Sequence, residues 1–169
     1  MEITNLSEKE LNLLFEASRV SPRRRISKNF QEDSYSGPQL GLNIIQPDSY
    51  IRPHLRFSDE HILHYSGKLC SLILDEKGSL IGRQMLNNKS PYFFLPAGTY
   101  STVISFEEGS GLWFVTQGPF NPNHFRQDLP CSPTEKEDYE EYFNWLRKMA
   151  LTTRELTEFK RDESRFIRR

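Results

Sequence analysis

The chain has 169 residues, 36% of them hydrophobic and 27% charged, a size and balance that suit one globular domain with a core and appendages. Its 22 Lys and Arg nearly cancel 23 Asp and Glu, for a net charge of −1, so no global field draws nucleic acid or an anionic membrane surface. No apolar run reaches membrane-span length, Met1-Glu2-Ile3-Thr4 lacks the basic and apolar parts of a signal peptide, and Cys70 and Cys131 make no disulfide framework; a reducing, cytoplasmic setting is expected.

The first predicted element is a helix over residues 6–19. Ser7 can cap it, Glu10 stands where a capping box needs a carboxylate, and Leu6 and Leu11 stand where a hydrophobic staple forms. Leu11, Leu14 and Phe15 make an apolar stripe that must dock on something. A basic segment follows, with Arg19, Arg23, Arg24, Arg25 and Lys28 around Pro22, and then a polar turn region at 31–38 that ends in Gly37-Pro38. Three readings stay open for Arg23-Arg24-Arg25: contact with a phosphate or sugar nucleotide, a nucleic-acid patch, or ion pairs with the acidic stretch Glu135, Glu137, Asp138, Glu140 and Glu141. Nucleic acid is disfavoured, because the net charge is near zero and no recognised motif accompanies the run.

From about residue 39 to 117 the pattern is β. Leu40, Leu42 and Ile44 alternate along one run, and Ile62–Tyr65 and Leu69–Leu74 flank Ser66-Gly67. Glu76-Lys77-Gly78 reads as a hairpin turn before Leu80-Ile81, and Tyr92–Leu95, Thr102–Phe106 and Leu112–Val115 complete the series. Gly118-Pro119-Phe120-Asn121-Pro122 is a loop. Helices are then expected near 133–150, started by Ser132-Pro133-Thr134-Glu135, and near 153–166, started by Thr152-Thr153-Arg154-Glu155. In the first of these, Tyr139, Tyr142, Phe143, Leu146 and Met149 recur at helical spacing. The expected organisation is therefore 1–133 as an all-β domain with an N-terminal helix, and 134–169 as a helical extension.

Two stretches carry a more specific pattern. The first runs from Asp48 to Gly67 and contains His54, Arg56 and Glu60; the second is Leu95-Pro96-Ala97-Gly98-Thr99-Tyr100-Ser101. They resemble the two motifs of the cupin superfamily, G-x5-H-x-H-x3-E-x6-G and G-x5-P-x-G-x2-H-x3-N. His54, Glu60, Gly67, Pro96 and Gly98 stand in register. Asp48 and Ser90 replace glycines, Arg56 and Ser101 replace histidines, and Ser105 replaces the asparagine. Over roughly residues 20–133 the chain is similar to the WbuC-type cupins, through Pro22-Arg23-Arg24-Arg25, Asn29-Phe30, Leu42-Asn43, Pro47–His54, Pro96–Thr99 and Gly118–Pro122.

The resemblance implies a cupin double-stranded β-helix, a jelly-roll barrel. It also implies a metalloprotein family often linked to bacterial surface-polysaccharide (O-antigen) gene clusters. That family carries His-x-His, a Glu and a later His as its metal set, whereas this chain keeps only His54 and Glu60. Gln31 and Phe114 stand where the family tends to have a His and a Glu.

Alternation along a strand puts Tyr50, Arg52, His54 and Arg56 on one face, and Glu60, Ile62 and His64 on another part of the interior, with His61 outward. Two protein ligands rarely hold a divalent ion against water; His64 would have to supply a third imidazole. Arg56 brings a fixed positive charge that can pair with Glu60 and repel a dication. Neither cysteine has the surroundings of a nucleophile, and no Gly-x-Ser-x-Gly elbow or Gly-rich phosphate loop is present. His54 and Glu60 could still act as a metal-free acid–base pair, so the residues leave open whether this is an enzyme.

The leading expectation is a cupin that binds a small anionic or sugar-like molecule, with metal binding weak or lost. The pocket would be formed by Tyr50, His54, Arg56, Glu60, His64, Tyr100, Ser101 and Phe114. No cofactor is expected. The alternative is a divalent metal (Zn, Fe, Mn or Ni) on His54 and Glu60 in a metal-dependent enzyme of carbohydrate metabolism. A third reading is a protein-interaction module or homodimer that uses the C-terminal stripe Tyr142, Leu146 and Met149. Neither nucleic acid nor a membrane is an expected partner.

Overall fold

The computed structural model of the chain describes residues 6–31, 37–121 and 126–151. Helix α1 spans Glu8–Val20. The Ser7 hydroxyl accepts the Glu10 amide at 3.3 Å and Glu10 Oε2 accepts the Ser7 amide at 2.9 Å, so both halves of the capping box form. The helix packs on the first two strands of the fold, and its Phe15 ring lies over Gly109.

Among the described residues ten strands follow: β1 (Arg25–Asn29), β2 (Gln39–Ile45), β3 (His54–Arg56), β4 (Glu60–Ser66), β5 (Leu69–Leu74), β6 (Leu80–Leu86), β7 (Tyr92–Leu95), β8 (Tyr100–Ser105), β9 (Ser110–Thr116) and β10 (Arg126–Asp128). They form two five-stranded antiparallel sheets, ordered β1-β2-β9-β4-β7 and β10-β3-β8-β5-β6. This is the all-β jelly-roll core that the sequence predicts. Inward residues of both sheets, among them Ile45, Ile62, Leu69, Leu86, Phe93, Leu95 and Leu112, close into one apolar cluster. At Gly67 the backbone is left-handed (φ +67°), and a Cβ there would come within 2.9 Å of the Ser110 Cα. Only glycine fits that turn, which accounts for its place in the motif.

A second cluster lies on the opposite face of the β5–β8 sheet. Cys70, Leu72, Leu74 and Ile104 are buried there beneath helix α2 (Glu140–Leu151), which contributes Tyr142, Phe143, Leu146, Met149 and Ala150. β5 is therefore buried on both faces and reads as a continuous apolar run rather than an alternating one. Among the described residues no helix is long and apolar enough to cross a membrane.

Three expectations about elements need correction. β1 and β10 were not anticipated, because Arg-Ile-Ser-Lys-Asn and Arg-Gln-Asp lack the apolar alternation that marks a half-buried strand. The helix expected at 133 begins at Glu140 instead. Ser132 does not cap it: its hydroxyl donates to the Leu129 carbonyl at 2.7 Å, and Thr134–Glu137 forms a separate turn in which Glu137 Oε2 accepts the Thr134 amide. That non-helical stretch lets Tyr139 stack on Tyr50, with ring centroids 4.5 Å apart. Finally, the strand expected through Tyr50 and Arg52 starts only at His54. The helix expected near 153–166 lies outside the described residues.

Candidate functional site

The two sheets enclose a cavity of about 340 Å³, within the range of small-molecule sites. β3 contributes His54 and Arg56, β4 contributes Glu60 and Ile62, β8 contributes Ser101 and Val103, and β9 contributes Leu112 and Phe114. His54 stands directly across from Ser101 in the β3–β8 ladder. The four seats that the two motifs define thus line one cavity, His54, Arg56 and Ser101 from one sheet and Glu60 from the other, where Phe114 joins it.

Tyr50, Tyr100 and His64 do not line it. Tyr50 and Tyr100 turn to the other side of the sheet, into the cluster beneath α2, and the Tyr50 hydroxyl donates to the Pro133 carbonyl at 2.8 Å. The segment before Pro53 is not a strand, so the alternation that was to carry Tyr50 inward does not operate there. Arg52 leaves for the same reason: it pairs with Asp128 at 3.2 Å and donates to the Ser132 carbonyl at 2.9 Å. His64 lies where the β4–β9 register shifts, one of its ring nitrogens is 2.8 Å from the Gly67 carbonyl, and it faces a shallow depression with Lys68 and Asn87. It is therefore in no position to supply a third imidazole beside His54. His61 points outward, against the Tyr92 hydroxyl at 3.0 Å.

The chemistry of the motif seats follows from their contacts. The Arg56 guanidinium sits 2.9 Å from Glu60 Oε1, in a pair almost withdrawn from solvent, with side-chain exposures of 16% and 9%. Burial pushes the Glu60 carboxyl above its usual range, and Arg56 pulls in the opposite direction. Nδ1 of His54 lies 2.9 Å from the Arg52 carbonyl. A carbonyl can only accept, so Nδ1 carries the proton and Nε2 keeps a lone pair. Burial, reinforced by the Arg56 charge, holds this imidazole down to about 3; it is neutral at physiological pH.

The fold family implies a divalent metal, and these residues do not fit one. Among the described residues no three His, Cys, Asp or Glu side chains stand close enough to share an ion. Of the two donors present, Glu60 is already engaged by a guanidinium. A dication about 4 Å from that guanidinium would be repelled by on the order of 8 kcal/mol at an effective dielectric constant of about 20.

Most of the cavity's polar lining comes from residues that the motifs do not mark. β1 runs Arg25, Ser27, Asn29 along its inner face, β2 adds Gln39 and Asn43, and Arg23, Gln31 and Arg126 complete the polar rim. Among the described residues four arginines (23, 25, 56 and 126) line the cavity, with Glu60 as the one carboxylate. Arg25 pairs with Glu135 and Arg126 with Asp128 at 2.7 Å, while Arg23 has no ion-pair partner among the described residues. Within Arg23-Arg24-Arg25, Arg24 turns away: it adopts φ 54° and its Nε bonds both oxygens of Asp48 at 2.8 and 3.0 Å. The signal that could have located this wall was a period of two in polar residues (Arg25, Ser27, Asn29) where apolar ones are usually sought.

A family model described as a domain of unknown function (DUF6016) matches residues 6–86. No curated protein matches the chain. Among solved structures, CapF in complex with the inhibitor 3-isopropenyl-tropolone is 18% identical, with 64% of this chain and 32% of that chain covered and a TM-score of 0.55. The capsular polysaccharide assembling protein CapF from Staphylococcus aureus is 18% identical over 61% of this chain and 29% of that one, at a TM-score of 0.51. A cupin superfamily protein from Desulfitobacterium hafniense is 14% identical over 55% and 76%, at 0.45. The chain spans about a third of the length of CapF. Likeness at these identities concerns the fold, and the fold is a cupin-type jelly-roll barrel flanked by an N-terminal and a C-terminal helix.

Proposed function

We propose that this chain is an atypical cupin of the WbuC type that binds a small anionic, sugar-like ligand in the barrel cavity, with metal binding weak or lost. The guanidinium groups of the lining carry this reading. Arg23, Arg25, Arg56 and Arg126 line the cavity; the last three are paired with Glu135, Glu60 and Asp128, Arg23 has no ion pair among the described residues, and fork-shaped donors of this kind recognise carboxylates and phosphates. Arg56 takes the place of a metal's charge beside Glu60, and the neutral His54 offers an Nε2 acceptor to a ligand hydroxyl. The amides of Asn29, Gln39 and Asn43 suit the remaining hydroxyls of a carbohydrate. The WbuC resemblance, and a likeness to a protein described as assembling capsular polysaccharide, support placing the ligand in bacterial surface-polysaccharide biosynthesis.

Calorimetric titration with D-glucose, D-glucuronate and α-D-glucose 1-phosphate tests the charge requirement. The two anions are expected to bind, with affinity reduced at least about tenfold in Arg23→Gln and Arg126→Gln, the size of one lost charge-assisted hydrogen bond. Equal binding of neutral glucose would sink the reading. Elemental analysis separates it from a metal-dependent enzyme: near-stoichiometric metal in the purified wild-type protein would favour the enzyme. The third reading, an interaction module, loses its main support, because Tyr142, Leu146 and Met149 are buried against this chain's own second sheet.

A further inference from the structure

The inner face of β2 runs Gln39, Gly41, Asn43, Ile45. Gln39, Asn43 and Ile45 line the cavity, and Gly41 between them has no side chain to offer. Its place is taken from the neighbouring strand. A Cβ built on Gly41 would lie 2.4 Å from both Cε1 and Cζ of Phe114, and 3.0 Å from Asn29 Oδ1. In the ladder Asn29 opposes Gly41, Gly41 opposes Phe114, and Phe114 opposes Ile62, so these four residues form one row across the sheet. The far end of the Phe114 ring therefore lies along the sheet, in the gap above Gly41, instead of reaching across the barrel. Set down in this way, the ring lines the cavity while staying 9% exposed. Polar groups edge it: Gln39 and Asn43 stand two residues to either side of Gly41 on β2, and Asn29 lies beyond it.

Resting on the anion-binding reading above, we propose that Phe114, seated over Gly41, is a stacking floor for a pyranose ring, and that the ligand class is a six-membered sugar acid or sugar phosphate. A flat aromatic face takes up the C–H face of such a ring, whose hydroxyls project from its rim. The amides of Asn29, Gln39 and Asn43 are placed to hydrogen-bond that rim. A purely apolar ligand would gain nothing from those amides. An inorganic anion would use the arginines and leave the ring unused. The combination selects a molecule with a hydroxylated ring and a charged substituent.

The test uses the full chain, with methyl β-D-glucuronide and inorganic phosphate as probes. Saturation-transfer NMR should label the axial ring protons of the glucuronide most strongly, because those are the protons that meet the phenyl face. Phe114→Leu should weaken the glucuronide about tenfold and leave phosphate within about twofold, with Phe114→Tyr restoring the glucuronide. Gly41→Ala supplies a second variant that keeps the phenyl group: the added methyl displaces only the far end of a side chain, so the fold is retained while the ring leaves its seat. It should reproduce the Phe114→Leu pattern. Glucuronide affinity unchanged in both Phe114→Leu and Gly41→Ala, with phosphate still bound, would overturn the stacking floor and leave the anion site standing. Failure of both probes to bind the wild-type protein would overturn the anion site and the floor together.

Discussion

Arg56 and Glu60 are almost buried, and each is the other's neutralising charge. Removing one partner of such a pair strands the other. Arg56→Met is accordingly expected to cost about 3 kcal/mol by urea denaturation, and Arg56→Met with Glu60→Gln to recover most of it; additive losses in the double variant would show that the two are not coupled. Arg56→His restores a second imidazole two residues from His54 and removes the repelling charge. Bound zinc is expected to rise toward one per chain by elemental analysis; a variant that stays metal-free would show that the arginine is not what excludes the ion.

His54 gives a pH prediction at the same scale. Its folded-state value of about 3 lies below the unfolded 6.5, so the unfolded chain binds the extra proton first. Stability from this group is complete above about pH 6.5 and is lost as pH falls toward 3. Glu60, shifted upward, has the opposite sign and favours the folded state less as pH rises beyond its unfolded value of 4.5. Denaturation midpoints between pH 7 and 4 should fall less steeply in His54→Gln than in the wild type. A His54 resonance that titrates near 6.5 by NMR would remove the basis for this.

At the scale of elements, the C-terminal helix belongs to the core of the second sheet. Leu146 is fully buried and sits in one cluster with Leu72, Leu74 and Ile104. Leu146→Ala should cost about 2–5 kcal/mol, read as a lowered thermal midpoint, whereas the same change at the exposed Leu151 should stay within about 0.5 kcal/mol. Helix α1 was legible to its cap because the information is local: Ser7, Glu10 and the following stripe lie within two turns. β1 was not legible, because it is defined by its pairing with β2 and by what faces the cavity. Nothing in Arg-Ile-Ser-Lys-Asn signals a strand until the partner is known. The late start of α2 has a similar cause, since Ser132-Pro133-Thr134-Glu135 is a good local helix start that is overridden by stacking of Tyr139 on Tyr50.

For the molecule as a whole, ending the chain at residue 133 would uncover Leu72, Leu74, Ile104 and the Tyr50 ring on one face of the second sheet. Each large side chain of α2 contributes roughly 1.5–3 kcal/mol by burial, and four of them together rival a total stability of about 5–15 kcal/mol. The truncated chain is expected to lose its cooperative thermal transition; a folded, monomeric fragment would show that the barrel stands alone. The amino-acid sequence by itself determined a β-rich core, through turn residues and strand runs at close spacing, while the jelly-roll form and the seats of His54, Arg56, Glu60 and Ser101 came from motifs that resemble those of cupins, because both kinds of information are held by residues near one another in the chain. Only the tertiary structure decided that Tyr50, His64 and Tyr100 face elsewhere, that Arg25 and Arg126 face the cavity, and that the Phe114 ring fills the space over Gly41. Each of these depends on which strand lies beside which, and long-range pairing and register are set by the packing of the whole chain.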